Sequence, residues 1–269
     1  MEDQKRRAIV SKSRCWDGAH WREQEENLVE ELPVSVLING VTYAVMLATP
    51  HDLQDFAWGF LWTEAVLFAR EEVLALEMES TSEGVAIFLQ LTAEAAARAE
   101  KQRRKLPGAS ACGLCGRPDF SGLQPFTPLS PPQSPPDLER IRATMAELVA
   151  QQCFHHENGN THAAALRFRS GRILVREDIG RHNAVDKVIG AALMLGELPG
   201  SADVLAVSSR LPFEIVRKAL SWRIPLVAAI SGISSMALQI AQQNHVQLVG
   251  FVREGRCTVY CDSSSDSRA

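Results

Sequence analysis

No stretch of about 18 consecutive apolar residues occurs in the 269-residue chain, so no helix is expected to cross a membrane. The opening residues, MEDQKRRAIV, also lack the long apolar core of a secretory signal. The expected compartment is therefore the reducing cytoplasm, where thiols stay free. An excess of positive charge is missing too. With a formal net charge of -4, the chain has no broad electrostatic grip on nucleic acid. No internal repeat is visible. What remains is an ordinary globular composition, 46% hydrophobic and 22% charged, long enough for one large domain or two smaller ones.

Periodicity gives the organisation. Residues 1–29 read as a polar, flexible tail. ELPVSVLING and VTYAVMLATP flank Asn39-Gly40, a strong hairpin signal. In TPHDLQDFAWGFL, Thr49 is placed to cap a helix, Pro50 suits its first turn and Asp52 stands at the capping-box position. GVAIFLQL (84–91) reads as a strand, and TAEAAARAEKQRRKL as a helix with a basic last turn. These elements, with the glycine-rich loop that follows, predict an N-terminal β-hairpin/helix domain over 30–124. The proline-rich stretch 125–137 predicts a linker. Beyond it, a helix, a hairpin turning at Ser170-Gly171, and then helices alternating with strands predict an α/β domain over 138–261. Its sheet is expected to be mostly parallel, and a polar tail at 262–269 closes the chain.

In such a sheet the strand-to-helix loops gather at the carboxyl edge, where ligands bind. Those loops are EDIGRHN (177–183), SSRL (208–211) and SGISS (231–235). The first carries Glu177, Asp178, Arg181, His182 and Asn183; the second carries Arg210. The third places Ser234 ahead of a helix N-terminus, a favourable position for an anion. FVREGR (251–256) follows the last long strand and adds Arg253 and Arg256. Four arginines, at 181, 210, 253 and 256, are suited to phosphate oxygens. Taken singly, each piece has a plain structural reading: Asn183 as a helix cap, Glu177 with Arg181 as a surface pair, the Gly255-Arg256 turn as a hairpin tip.

The remaining signal is ASACGLCGRPDF, where Cys112 and Cys115 lie in a loop with Gly113 and Gly116. A structural zinc site needs a second pair. Cys15 and Cys153 are isolated, and Cys257 and Cys261 share a predicted strand, roughly 13 Å apart. The HxE and PCxxC pattern of a zinc deaminase is absent, so no metal site is expected. A thioredoxin-like dithiol normally opens a helix, whereas this pair sits among glycines. A thiol on a flexible loop is suited to accept sulfur at one place and release it at another, and nearby basic residues 101–105 would lower its pKa.

Together these segments resemble the formate dehydrogenase accessory sulfurtransferase family, FdhD. CGLCG looks like its cysteine loop, and EDIGRHNAVDKVIG (177–190) is similar to its longest signature. ELPVSVLING with ATPHDLQDFAWGFL, SSRLPFEIVRKA and LVGFVREGRCTVY are similar to its other blocks and appear in the family's order over roughly 30–261. The resemblance implies a cytidine-deaminase-like C-terminal α/β domain without zinc. It implies a sulfur carrier that takes persulfide sulfur from a cysteine desulfurase and passes it to the molybdenum bis(molybdopterin guanine dinucleotide) cofactor of formate dehydrogenase. Cys112 would bear the persulfide and Cys115 would assist. Phe251, Val252, Arg253, Glu254, Gly255 and Arg256, with His162, Asp178, Arg181, His182, Asn183, Arg210 and Ser234, would bind the cofactor or GDP- and GMP-like nucleotides. No cofactor would be held permanently, and the protein would be a homodimer.

The chain departs from the family pattern at NGNTH (158–162), where a TGGxH is usual, at Thr63-Glu64-Ala65, where SEG is usual, and at SSRLPFE, where SGRxSxE is usual. Two other readings stay open: a cofactor-binding chaperone without sulfur chemistry, and a dithiol oxidoreductase.

Overall fold

A computed structural model describes residues 9–102 and 126–262. Cys112, Cys115 and most of the 262–269 tail lie outside the described residues. Three sheets organise the chain. The first is a two-stranded ribbon, β1 (Ile9–Trp16) against β2 (Trp21–Leu28). This corrects the expectation for residues 1–29: from Ile9 to Leu28 the chain is regular antiparallel structure, because alternating β-branched, aromatic and long polar residues flank an Asp17-Gly18 turn.

The second sheet has the order β4-β3-β6-β5, from β3 (Leu32–Ile38), β4 (Val41–Ala48), β5 (Val73–Ser80) and β6 (Val85–Leu91). Asn39 and Gly40 both adopt positive φ, 48° and 82°, the type I′ geometry that Asn-Gly favours. Helix α1 (Leu53–Thr63) and α2 (Ala93–Gln102) pack with this sheet. The start of α1 differs from expectation. Its N-cap is Asp52, in the left-handed region with φ 53° and with no side-chain cap bond. Thr49 does not cap this helix; its hydroxyl is spent on Asp178.

The third sheet is the C-terminal α/β sheet, in the order β12-β11-β10-β9-β7-β8. It comprises β7 (His162–Phe168), β8 (Ile173–Asp178), β9 (Ala202–Val207), β10 (Leu226–Ala229), β11 (Gln247–Arg253) and β12 (Arg256–Cys261). Only β9, β10 and β11 run parallel to one another; β7 is antiparallel to both neighbours, and β12 folds back on β11. The sheet is thus mixed rather than mostly parallel, because 162–178 and 247–261 are hairpins with no crossover helix. The reversal of β7 matters for the site: it carries His162, at the start of β7, to the edge where β8 ends at Asp178.

One face of this sheet is covered by α3 (Leu138–Ala150), through Ile141, Met145 and Leu148. The other is covered by α5 (Arg181–Met194), α6 (Phe213–Ser221) and α7 (Ser235–Gln243). A short α4 (Cys153–Asn158) precedes β7. β9 is buried at every position, as a central strand covered on both faces should be.

Helix α1 lies on α5, and nearly every residue of both helices is buried. The two cross at glycine: a Cβ on Gly59 would lie 1.7 Å from the Asp186 carbonyl oxygen, and one on Gly190 would lie 1.8 Å from that of Asp55. One apolar core therefore runs from Val34 and Ile87 through Phe56 and Leu61 to Val188, Leu205 and Leu248, on both sides of residues 125–137. Buried polar contacts follow the same seam. Lys218 Nζ is 2.6 Å from Asp186 Oδ1, which also accepts from Thr63 Oγ1 at 2.7 Å; Arg217 meets Glu64 at 2.7 Å. Ala65, where the family prefers glycine, has φ 58°, the left-handed conformation that glycine adopts at less cost.

Candidate functional site

At the carboxyl edge of β9, β10 and β11, a cleft of about 420 Å³ opens between loops. Its walls are Arg181, the segment Arg210–Pro212, the segment Ser231–Ser234 and Phe251. Four distant stretches of sequence meet here, the three strand-to-helix loops that the sheet edge predicts and the Phe251 segment. The last three are tied by backbone bonds: Leu211 N to Gly232 O at 3.0 Å, Ser234 N to Leu211 O at 3.1 Å, and Phe251 N to Ser231 O at 3.0 Å. Phe251 takes φ 50°, an uncommon conformation for a bulky residue, and its ring then lies over Gly232. Any Cβ on Gly232 would come within 2.8 Å of that ring, so the glycine is what admits it.

The polar groups of the cleft are cationic. Among the described residues, no carboxylate pairs with Arg181 or Arg210, and the buried Nε of Arg181 has no hydrogen-bond partner. Ser234 caps α7, its Oγ accepting from Ala237 N at 3.2 Å, so the positive end of that helix faces the same wall. Two guanidinium groups beside a helix N-terminus, with the apolar Leu211, Pro212 and Phe251 opposite, suit an anion joined to a flat apolar group.

Asp178 and Asn183, both expected as ligands, are placed elsewhere. Asp178 is fully buried. Its Oδ2 accepts from Thr49 N and Oγ1, at 3.1 and 2.9 Å, and lies 2.7 Å from Lys187 Nζ; its Oδ1 accepts from Gly180 N and Asn183 Nδ2. Asn183 also donates to Leu47 O at 2.8 Å and lies inside α5, whose N-cap is Gly180. Both carboxylate oxygens of Asp178 and the amide nitrogen of Asn183 are thus committed to internal bonds. They lock the 178–181 turn against β4, and that turn presents Arg181. Glu177 is likewise buried, accepting from Phe154 N, His155 N and Thr161 Oγ1, which replaces the expected surface pair with Arg181.

The 251–256 stretch splits. Phe251 lines the cleft, while Val252 points to the opposite face, buried with α3, as strand alternation requires. Arg253, Glu254, Gly255 and Arg256 form the exposed β11–β12 turn, with Gly255 at φ 80°. They lie beyond the walls of the cleft.

His162 and His182 flank Arg181. Burial, then the positive charge of Arg181 and neighbouring groups, holds the His162 pKa below its ordinary 6.5. Burial also lowers that of His182, although Glu214, 3.8 Å away, pulls the other way. Glu214 itself is raised by burial but ends below its ordinary value, because His182 and Arg181 favour its charged form. A histidine whose folded pKa is depressed stabilises the fold above pH 6.5, and that contribution is lost as pH falls below it. The urea midpoint should therefore drop as pH falls below about 6.5, and His162→Gln with His182→Gln should flatten the drop. An unchanged profile would contradict the burial of these rings.

Glu214 gives little sequence signal, since an acid in a helix's first turn is commonplace. Leu211, the last residue of the SSRL loop, and Pro212 stand out in the sequence as departures from the family pattern, and both prove to line the cleft.

Residues 29–265 match the FdhD/NarQ family. The chain belongs to the FdhD/NarQ family. It is 39% identical over 231 residues to the sulfur carrier protein FdhD of Variovorax paradoxus (strain S110), covering 86% of this chain and 83% of that one. It is 35% identical over 254 residues to the sulfur carrier protein FdhD of Xanthomonas axonopodis pv. citri (strain 306), covering 94% and 90%. The crystal structure of a candidate formate dehydrogenase accessory protein from Desulfotalea psychrophila superposes with a TM-score of 0.72, at 24% identity, covering 94% of this chain and 96% of that one; it establishes the shared fold. This FdhD/NarQ chain has no helix among its described residues long and apolar enough to cross a membrane, and those residues bring together no cluster of His, Cys, Asp and Glu able to hold a metal.

Proposed function

We propose that this chain is a sulfur carrier that accepts persulfide sulfur from a cysteine desulfurase and delivers it to the molybdenum bis(molybdopterin guanine dinucleotide) cofactor destined for formate dehydrogenase. The reading is supported by family membership, by the names its relatives bear, and by Arg181 and Arg210 of the cleft, which pair with no carboxylate among the described residues. The cofactor is cargo, held in transit. Arg181, Arg210 and the α7 N-terminus would grip its diphosphates, and Phe251 with Leu211 would face a flat ring. The exposed Arg253 and Arg256 would add charge at the mouth.

The sulfur step uses Cys112 and Cys115. The Cys112 thiolate attacks the outer sulfur of a desulfurase persulfide; a new S–S bond forms at Cys112 and the desulfurase thiolate leaves. The Cys115 thiolate then attacks the Cys112 sulfur, forming a Cys112–Cys115 disulfide and expelling hydrosulfide for the metal. A cellular dithiol reduces that disulfide for the next cycle.

The working form would be a homodimer in the cytoplasm, with a nucleotide-ended cofactor shared between two copies. Restoring formate dehydrogenase activity in cells lacking their own copy tests the whole proposal. The intact chain should restore it and Cys112→Ala should not. Full activity from Cys112→Ala would favour a cofactor-binding chaperone instead. In vitro, Arg181→Ala and Arg210→Ala should each weaken GDP binding about tenfold or more, with reduced salt dependence, as titration calorimetry would measure. Unaltered affinity in both variants would remove the cleft from the proposal.

A further inference from the structure

Two buried polar atoms beside the cleft have no partner within the described protein. His182 is the second residue of α5 and follows Arg181; Glu214 is the second residue of α6 and stands two positions beyond Pro212. Arg181 and Pro212 both line the cleft. The pair therefore sits where the first turns of α5 and α6 meet behind that wall. Their side chains are 8% and 16% exposed, and His182 Nε2 lies 3.8 Å from Glu214 Oε2. That separation is too long for a hydrogen bond. Neither atom has another hydrogen-bond partner among the described residues, and the Nε of Arg181 is in the same state. A buried polar group left unpaired is unfavourable, so a cluster of them calls for an occupant.

The two atoms have opposite needs. Burial lowers the His182 pKa, so the imidazole is neutral near pH 7, and the carboxylate beside it favours the tautomer with hydrogen on Nε2. Burial disfavours the charge on Glu214, yet His182 and Arg181 outweigh it and the carboxylate stays ionised. Nε2 thus donates and Oε2 accepts. One atom placed about 2.8 Å from each closes the gap only if it accepts from the first and donates to the second. A hydroxyl does both. A phosphate oxygen or a carbonyl only accepts, and phosphate would be repelled by Glu214. An amino group on an aromatic ring only donates.

We propose that His182 and Glu214 form a ribose subsite: His182 Nε2–H donates to a sugar hydroxyl, and that hydroxyl donates to Glu214 Oε2. This rests on the guanine-nucleotide cargo proposed above and adds the residues that read its sugar. Place in the cleft favours the sugar. With phosphates on Arg181 and Arg210 and a ring against Phe251, the sugar is the part between them, and the pair adjoins Arg181 at the phosphate end. A bound water has the same donor and acceptor capacity and is the competing occupant; nucleotides lacking one hydroxyl separate the two.

Titration calorimetry of the parent chain and of Glu214→Ala, with GDP, 2′-deoxy-GDP and 3′-deoxy-GDP, tests this. The parent should bind at least one of the analogues about tenfold or more weakly than GDP, because the missing hydroxyl leaves a charged acceptor and an imidazole donor unpaired. In Glu214→Ala that preference should shrink to about threefold or less, chiefly through weaker binding of GDP. Equal affinity of the parent for GDP and both analogues would leave water at the pair and overturn the subsite while GDP binding stands, whatever the folding of the variant. A preference that persists undiminished in Glu214→Ala would place the sugar elsewhere. Sugar preference unchanged in the variant, with a lost preference for GDP over inosine diphosphate, would move the contact to the guanine amino group and overturn the subsite too. No binding of GDP at up to about 1 mM would overturn both the subsite and the nucleotide cargo.

Discussion

Gly190→Ala should leave little or no folded protein. The glycine lies inside α5, where alanine would normally be the better helix former by nearly 1 kcal/mol. The effect here has the opposite sign, because α1 rests directly on the α5 backbone. An added Cβ would stand 1.8 Å from the Asp55 carbonyl oxygen and within 2.8 Å of Gly59 N, and neither is a side chain able to rotate away. The helices would have to separate, opening the core around Phe56, Ala57, Val188 and Ala192. Such overpacking against backbone belongs with substitutions costing more than about 4 kcal/mol, against a total stability of roughly 5–15 kcal/mol. Gly59→Ala should do the same, with its Cβ 1.7 Å from Asp186 O. Gly196→Ala is the control: its Cβ would meet nothing within 4 Å, and it should lose only the ~1 kcal/mol of its positive φ. Thermal melts followed by circular dichroism report all three. A Gly190→Ala melt within a few degrees of the parent would contradict the helix contact.

Lys218→Met should be nearly as damaging, with a distinctive pH dependence. Lys218 and Asp186 are both about 1% exposed, and the ammonium sits 2.6 and 2.8 Å from the two carboxylate oxygens. Removing one partner of a buried pair strands the other charge, at a cost of about 3–5 kcal/mol. Burial already raises the Asp186 pKa above its ordinary 3.8, with Lys218 opposing that rise. Without Lys218 the rise is opposed chiefly by Thr63. A carboxyl whose folded pKa is raised favours the fold at low pH, and that advantage disappears as pH climbs from about 4 through the folded value. The variant's deficit should therefore be small near pH 4–5 and greatest near pH 8, and Asp186→Asn added to Lys218→Met should recover part of it. Urea denaturation at pH 5 and 8 measures this. An equal deficit at both would mean that the lysine acts by packing alone.

Much of this was legible in the chain, and the exceptions share a cause. Asn39-Gly40, the 162–178 hairpin and the buried β9 follow from local rules of turn chemistry and burial. The meeting of the 181, 210 and 234 loops follows from the sheet edge, which survives although the sheet is mixed. What local rules misplace are polar residues whose partners are far away in sequence. Thr49, Asp178 and Asn183 look like caps and ligands when read with their neighbours, yet the bonds that hold them include Thr49–Asp178 and Asn183–Leu47, 129 and 136 residues apart, which join the end of β4 to α5 and the turn before it. The same holds for Glu177, whose buried role depends on α4. The glycines of the α1–α5 crossing carry a faint signal, since glycine inside a helix is unfavourable without a reason. The ribbon escaped because its outward residues are mostly polar and neither face meets a core.

The most direct measurement is the mass of the chain after incubation with a cysteine desulfurase and cysteine. A gain of about 32 Da, one sulfur atom, is expected, removed by a reducing agent and mapped to the peptide that holds Cys112 and Cys115. No gain in mass, or a gain that persists when both cysteines are replaced by alanine, would contradict sulfur transfer through this pair.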